Sequence, residues 1–156
     1  MKGNKKVVEL LNDILTGELT SVNQYFIHAK MCANWGYKRL AEIHHKESIG
    51  EMKHADELIE RILFLEGVPN MQKLNKVRVG ETVVEQLKLD LQLEHDAVAK
   101  FNEAIALAVE VSDNGSRELL EKMLTSEEEH VDWLESQLHI VQEVGEQNYL
   151  AQQIRD

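Results

Sequence analysis

Two segments of this sequence, Glu51-Met52-Lys53-His54 and Glu127-Glu128-Glu129-His130, each set a carboxylate and an imidazole three residues apart. On a helix that spacing leaves the two side chains about 60° apart on one face, close enough to grip one metal ion. Spacing alone is weak evidence. With 21 Glu and 7 His in 156 residues, chance supplies roughly one such match, and Glu42 with His45 is a third. A shared offset separates the first two from the third. Glu51 and Glu127, His54 and His130, and also Glu18 and Glu94 are each 76 positions apart. Glu42 and His45 map instead onto Glu118 and Glu121, with no histidine. Glu42 also lies nine residues from Glu51, on the opposite side of a helix.

The helical phase of the six residues is inward. Glu18 falls between Leu11 and Tyr25 at heptad spacing, and Glu94 interrupts the apolar series Leu87, Leu91, Val98, Phe101. Glu51 and His54 share the stripe of Leu58, and Glu127 and His130 that of Leu120 and Leu134. Four unpaired carboxylates in a core would each cost several kcal/mol, and no Lys or Arg on these stripes can answer them. Two divalent cations would balance four carboxylates and two neutral imidazoles to zero. Mixed oxygen and nitrogen donors suit iron or manganese better than calcium.

The elements that must carry these residues are helices. Apolar residues at helical spacing predict helices over about 5–35, 38–66, 82–111 and 116–144, with a short amphipathic one over 146–154. Gly36 ends the first, Gly67, Pro69 and Asn70 break the second, and Asn114-Gly115 reads as a turn before an N-cap at Ser116. The links at Gly36 and Gly115 are short enough only for antiparallel neighbours. Residues 67–81 lack a sustained period. Extended at up to about 3.5 Å per residue they span about 50 Å, longer than a helix of about 42 Å. The expected architecture is therefore all-α: one domain over 1–156, a four-helix bundle with one long crossover between helices two and three and a short C-terminal fifth helix. The 76-residue offset reads as two similar helical hairpins related by a pseudo-twofold axis.

Composition bounds the function. The chain is 43% hydrophobic with one proline, long enough for a sizeable core. Its net charge of −11 argues against nucleic acid or an anionic membrane as partner. A single cysteine, Cys32, excludes an internal disulfide framework, the start does not read as a signal peptide, and no apolar run is long enough to span a membrane. The expected location is cytoplasmic.

One Glu from each of two helices plus Glu-x-x-His from each of the other two is a general constellation of ferritin-like di-iron carboxylate proteins. The likeness extends further, through Met1-Lys2-Gly3, Asn23-Gln24-Tyr25-Phe26, Glu51-Met52-Lys53-His54-Ala55-Asp56, Ile59 to Gly67, Asp132-Trp133-Leu134-Glu135 and Asn148-Tyr149-Leu150. Essentially end to end, the sequence resembles bacterioferritin. The resemblance implies a cytoplasmic homo-oligomeric shell of 24 subunits built from twofold dimers, storing iron as a ferric mineral. It implies a ferroxidase centre with two iron ions per subunit, held by Glu18, Glu51, His54, Glu94, Glu127 and His130, where dioxygen or peroxide oxidises Fe(II). It also implies a reductant protein for iron release.

The resemblance implies haem b too, one per subunit pair, with Met52 from each of two subunits as axial ligand. Met52 is rotated about 100° from Glu51, toward a second, partly apolar face. Leu19, Asn23, Phe26, His45 and Ile49 match the family's haem-pocket positions, with His45 replacing the usual tyrosine. Lys46 and Gly50 stand where some relatives carry a histidine and an aspartate as an extra inner-surface iron site, so that site is expected to be weakened or absent.

Other residues carry smaller expectations. Tyr25, seven residues from Glu18, is placed to donate its hydroxyl to a ligand carboxylate, and Asp90, four before Glu94, to orient a ligand histidine. Asp56 and Asp132 point away from the metals. His28, His44, His95 and His139 read as exposed polar residues, and Trp133 as packing or an electron carrier. Two other functions fit the composition: a stand-alone di-iron oxidase or peroxidase of the rubrerythrin kind, which the absence of a Cys-x-x-Cys pair disfavours, and a haem-binding cage subunit reliant on a partner chain, which the full ligand set disfavours.

Overall fold

The Asn4 side chain accepts hydrogen bonds from the backbone of Lys6 and Val7, which starts α1 (Lys5–Trp35). The structure, a computed structural model, describes residues 1–155. In order follow α2 (Lys38–Phe64), α3 (Val83–Glu110), α4 (Asn114–Val144) and the short α5 (Glu146–Ala151), with no strand among the described residues. Thr82 caps α3 through the Glu85 amide. Asp113 caps α4 through the Ser116 amide, so Asn114-Gly115 forms the first turn of that helix and does not precede it. Asp113 lies one residue beyond the left-handed Ser112, which turns the chain before the cap. The second helix ends at Phe64, two residues earlier than the periodicity suggests, because Glu66 takes a positive φ of 63°.

The two hairpin turns obey the 76-residue offset in backbone conformation. Gly36 (φ 89°) and Ser112 (φ 61°) are both left-handed, although only the glycine adopts that conformation without a Cβ penalty. Within each hairpin the helices are antiparallel. Ser48 Oγ on α2 donates to the Val22 carbonyl on α1, and Arg61 on α2 meets Asp113 and Ser116 at the start of α4.

The crossover, residues 65–82, runs the length of α1 as a strap. Asn70, Asn75, Arg78 and Gly80 donate backbone N–H groups in turn to Asn12, Thr20, Gln24 and His28. These acceptors sit four or eight residues apart on one face of α1, so the helix satisfies an extended segment that has no sheet to join. Gly80 closes the strap against α3, where an added Cβ would lie 2.5 Å from the Gln86 backbone nitrogen. Thus α3 begins where α1 ends, and helices two and three are parallel.

Two apolar clusters fill the bundle on either side of mid-height. Leu11, Leu15, Leu58, Ile62, Phe101, Leu120 and Met123 belong to one, and Cys32, Leu40, Leu87, Leu134 and Tyr149 to the other. Each large side chain buried this way contributes about 1.5–3 kcal/mol. Tyr149 brings α5 across the end of the bundle and donates its hydroxyl to Gln137.

Candidate metal centre

Between those clusters the core turns polar. Glu18, Glu51, Glu94 and Glu127, each near the middle of its helix, are 1–3% exposed and His130 is 5% exposed. One ligand atom each from Glu18, Glu51, His54 and Glu127 lies within 4.8 Å of the others, an arrangement able to hold a metal ion. His54 Nδ1 is 3.2 Å from Glu127 Oε1, 3.7 Å from Glu51 Oε2 and 3.8 Å from Glu18 Oε2. Glu94 completes the carboxylates, and the charges of Glu127 and Glu18 interact with it. Its Oε1 accepts the Tyr25 hydroxyl at 2.5 Å. His130 stacks on Trp133, with centroids 5.5 Å apart and planes 7° from parallel, and meets the Tyr25 ring edge-on at 5.3 Å.

The electrostatics are those of a buried acidic cluster. Burial raises the Glu18 and Glu94 carboxyls above the ordinary range and Glu127 to about 7. Burial opposes charge on His54, but the carboxylates of Glu127 and Glu18 override it and push its pKa to about 10. Burial holds His130 down to about 4. No Lys or Arg among the described residues is buried to supply a counter-charge. Both oxygens of Glu18, Oε2 of Glu51, Oε2 of Glu94 and Nε2 of His130 are buried without a hydrogen-bond partner. Orphaned acceptors of this kind, aimed into one small volume, fit divalent metal ions with mixed oxygen and nitrogen ligation.

Several neighbours differ from the expectation. His28 and His44 are fully buried, not exposed. Asp90 hydrogen-bonds His28 and lies near His44, and it bonds neither His54 nor His130. Its Oδ1 takes bonds from His28 Nδ1 and Gln24 Nε2, both at 2.9 Å, and its Oδ2 is 3.9 Å from His44 Nδ1. The antiparallel pairing of α1 with α3 sets residue 90 level with residue 28, about one turn from Glu94. The Gly80 amide donates to His28 Nε2, which fixes His28 as the Nδ1–H tautomer facing Asp90. Glu47, which the six-residue pattern does not include, has its Oε1 3.4 Å from His130 Nδ1. The missed signal was spacing: Glu47 and His44 precede Glu51 by four and seven residues, the same helix face. His95, His139, Asp56 and Asp132 are exposed.

The residues matched to a haem pocket lie together on the outer face of α1 and α2. Asn23 and His45 are exposed, Leu19 is half-buried, and Phe26, Ile49 and Met52 are 48%, 37% and 51% exposed. The Ser48–Val22 bond sets the antiparallel register, which levels Leu19 with Met52, Asn23 with Ile49 and Phe26 with His45. Phe26 and His45 line one shallow groove. A methionine, an isoleucine and a phenylalanine left in water on one face mark a surface built to be covered, and a thioether among them fits an axial haem ligand.

An antiparallel bundle with a long crossover and a buried carboxylate–histidine centre at mid-height defines the class, a ferritin-like bundle. The family model of the ferritin-like domain matches residues 8–144. Among curated proteins, bacterioferritin of Mycobacterium bovis is 45% identical over 152 residues, 97% of this chain and 96% of that one. Bacterioferritins of Brucella melitensis and Rhodobacter capsulatus are each 46% identical over 149 residues, 96% of this chain and 92% of theirs. The chain belongs to the bacterioferritin family. No helix among the described residues is long and apolar enough to cross a membrane.

Proposed function

We propose that this protein stores iron and detoxifies it, oxidising Fe(II) at the centre formed by Glu18, Glu51, His54, Glu94, Glu127 and His130 and holding the product as a ferric mineral within a 24-subunit homo-oligomeric shell. The observation that carries this reading is the set of buried carboxylate oxygens with no partner and no buried cation to neutralise them. Two Fe(II) ions per subunit would supply four positive charges there. The carboxylates and imidazoles bind and space the two ions, and each iron gives one electron to dioxygen or peroxide. Tyr25 and Trp133 hold Glu94 and His130 in place. The fold supplies rigidity, because every ligand sits in mid-helix.

Haem b, shared by two subunits through a Met52 from each, is part of the same proposal, with Leu19, Asn23, Phe26, His45 and Ile49 around it. When bound it would supply one-electron redox chemistry, a route for electrons from a reductant protein to ferric iron in iron release. The apolar exposed face supports this reading. Lys46 is exposed and Gly50 has open space at its Cβ position, so neither offers the inner-surface ligands some relatives carry.

The test is aerobic addition of ferrous iron to the purified, metal-free protein, with assembly size, oxygen uptake and retained iron followed together. Oxygen consumed in step with iron, and iron co-migrating with a shell of about 24 subunits of 17.9 kDa, is the expected result. An intact shell that neither consumes oxygen nor retains iron sinks the proposal.

A further inference from the structure

The two halves of the centre carry the same ligands in different surroundings. The 76-residue offset pairs Tyr25 with Phe101, Glu47 with Met123, His44 with Leu120, His28 with Ala104 and Asp90 with Ile14. In every pair the polar member lies on the Glu94–His130 side, and all five apolar members belong to one hydrophobic cluster on the other. The repeat is thus an internal control. At the positions of Tyr25, Glu47 and His44 the other repeat packs an apolar residue, so polarity there is not a requirement of packing, whereas His28 and Asp90 also serve the crossover strap.

Two of the pairs act directly on ligands. Tyr25 holds Glu94 Oε1 at 2.5 Å, and Glu47 Oε1 lies 3.4 Å from His130 Nδ1. Their counterparts Phe101 and Met123 have no group able to restrain Glu18 or His54 in the same way. Both oxygens of Glu18 are unpartnered, and Glu18 already lies in one cluster with His54, Glu51 and Glu127. That cluster is a four-donor site ready for one ion. In the Glu94–His130 half, Tyr25 holds one oxygen of Glu94 and Glu47 faces His130 Nδ1, so an ion there competes with both contacts, while Glu94 Oε2 and His130 Nε2 have no hydrogen-bond partner.

We propose that the centre fills in order, the Glu18–His54 position first and the Glu94–His130 position second, with Tyr25 and Glu47 as positioning residues that set the affinity of the second ion. This rests on reading the six residues as a di-metal centre. Repulsion between two bound cations weakens the second step whichever position fills first. The direction of the order comes from what holds the side chains: Glu94 is held by Tyr25, outside the six, whereas both oxygens of Glu18 are unpartnered and the hydrogen bond of His54 is to Glu127, within its own cluster.

Anaerobic titration of the metal-free shell with Co(II) tests it, by calorimetry and by the visible absorption of the bound ion. Wild type shows two steps of one ion per subunit, the second at least about tenfold weaker, the scale of one lost charge-assisted hydrogen bond. Tyr25→Phe, the residue type of the other repeat, strengthens the second step about three- to tenfold and leaves the first step and its absorption bands in place. Glu47→Met acts in the same direction and decides the matter should Tyr25→Phe fail to assemble. Phe101→Tyr weakens the first step. Two equal sites in wild type, or a second step unchanged or weakened by Tyr25→Phe, overturns the order. An intact shell that binds no Co(II) refutes the di-metal centre itself, a separate result.

Discussion

His54 Nδ1 lies 3.2 Å from Glu127 Oε1, so the Glu-x-x-His segment of one helical hairpin is joined to that of the other through a single contact at the bundle axis. Each hairpin supplies half of the centre. Neither half is neutral alone, and the carboxylates that suit metal ions are a liability to the empty fold.

Replacing one ligand therefore separates function from stability. Glu94→Gln keeps an acceptor for Tyr25 and removes an acid that burial and Glu127 make costly to ionise. The metal-free variant is expected to melt as high as wild type or a few degrees higher, while its initial rate of Fe(II) oxidation falls at least about tenfold. Calorimetric melting and an oxygen electrode check the two halves of this statement.

Metal removal exposes a pH dependence of definite sign. Glu127 is raised from 4.5 to about 7 and His54 from 6.5 to about 10. A group whose folded pKa is raised adds stability below its unfolded pKa and loses it as pH climbs through the folded value. The metal-free protein should lose stability by several kcal/mol between about pH 4.5 and pH 10, through Glu127 up to about pH 7 and through His54 from about pH 6.5 upward. With Zn(II) bound the ligands stay deprotonated and the profile flattens. Denaturant titrations with and without Zn(II) at pH 6, 8 and 10 distinguish the two, and a flat metal-free profile contradicts the account.

His44 has the opposite sign. Burial lowers its pKa from 6.5 to about 4, so its contribution is complete above pH 6.5 and is lost as pH falls toward 4. The loss is on the order of 3 kcal/mol. His44→Leu, matching Leu120 of the other repeat, should keep the stability at pH 7 and make the acid limb shallower. Equal slopes for variant and wild type between pH 6.5 and 4 would show that His44 is not held neutral in the core.

Met52 offers a test at the surface. Its side chain is half exposed and takes no part in the core, so Met52→Leu should change subunit stability by less than about 0.5 kcal/mol. Loss of most haem absorbance from the purified shell, with iron oxidation retained, is the expected outcome. Unchanged haem content excludes Met52 as the axial ligand.

Helical spacing, the lone proline and the offset of 76 positions determined on their own that this chain forms two similar hairpins with six inward carboxylate and imidazole side chains, because periodicity and phase are local properties of a helix. Tertiary structure decided what surrounds those ligands. Helical phase turns His44 to the face of Glu51 but does not say what it meets, and His28 and His44 gained their neighbour only when antiparallel packing brought them to Asp90. Glu47 likewise gained its meaning from α4, which carries His130 past it. The turns show the same division: Gly36 announces a left-handed residue in the sequence, whereas Ser112 takes that conformation only because the second hairpin repeats the first. The inequality of the two half-sites is tertiary in origin, since a tyrosine differs from a phenylalanine only once a carboxylate lies within reach of its hydroxyl.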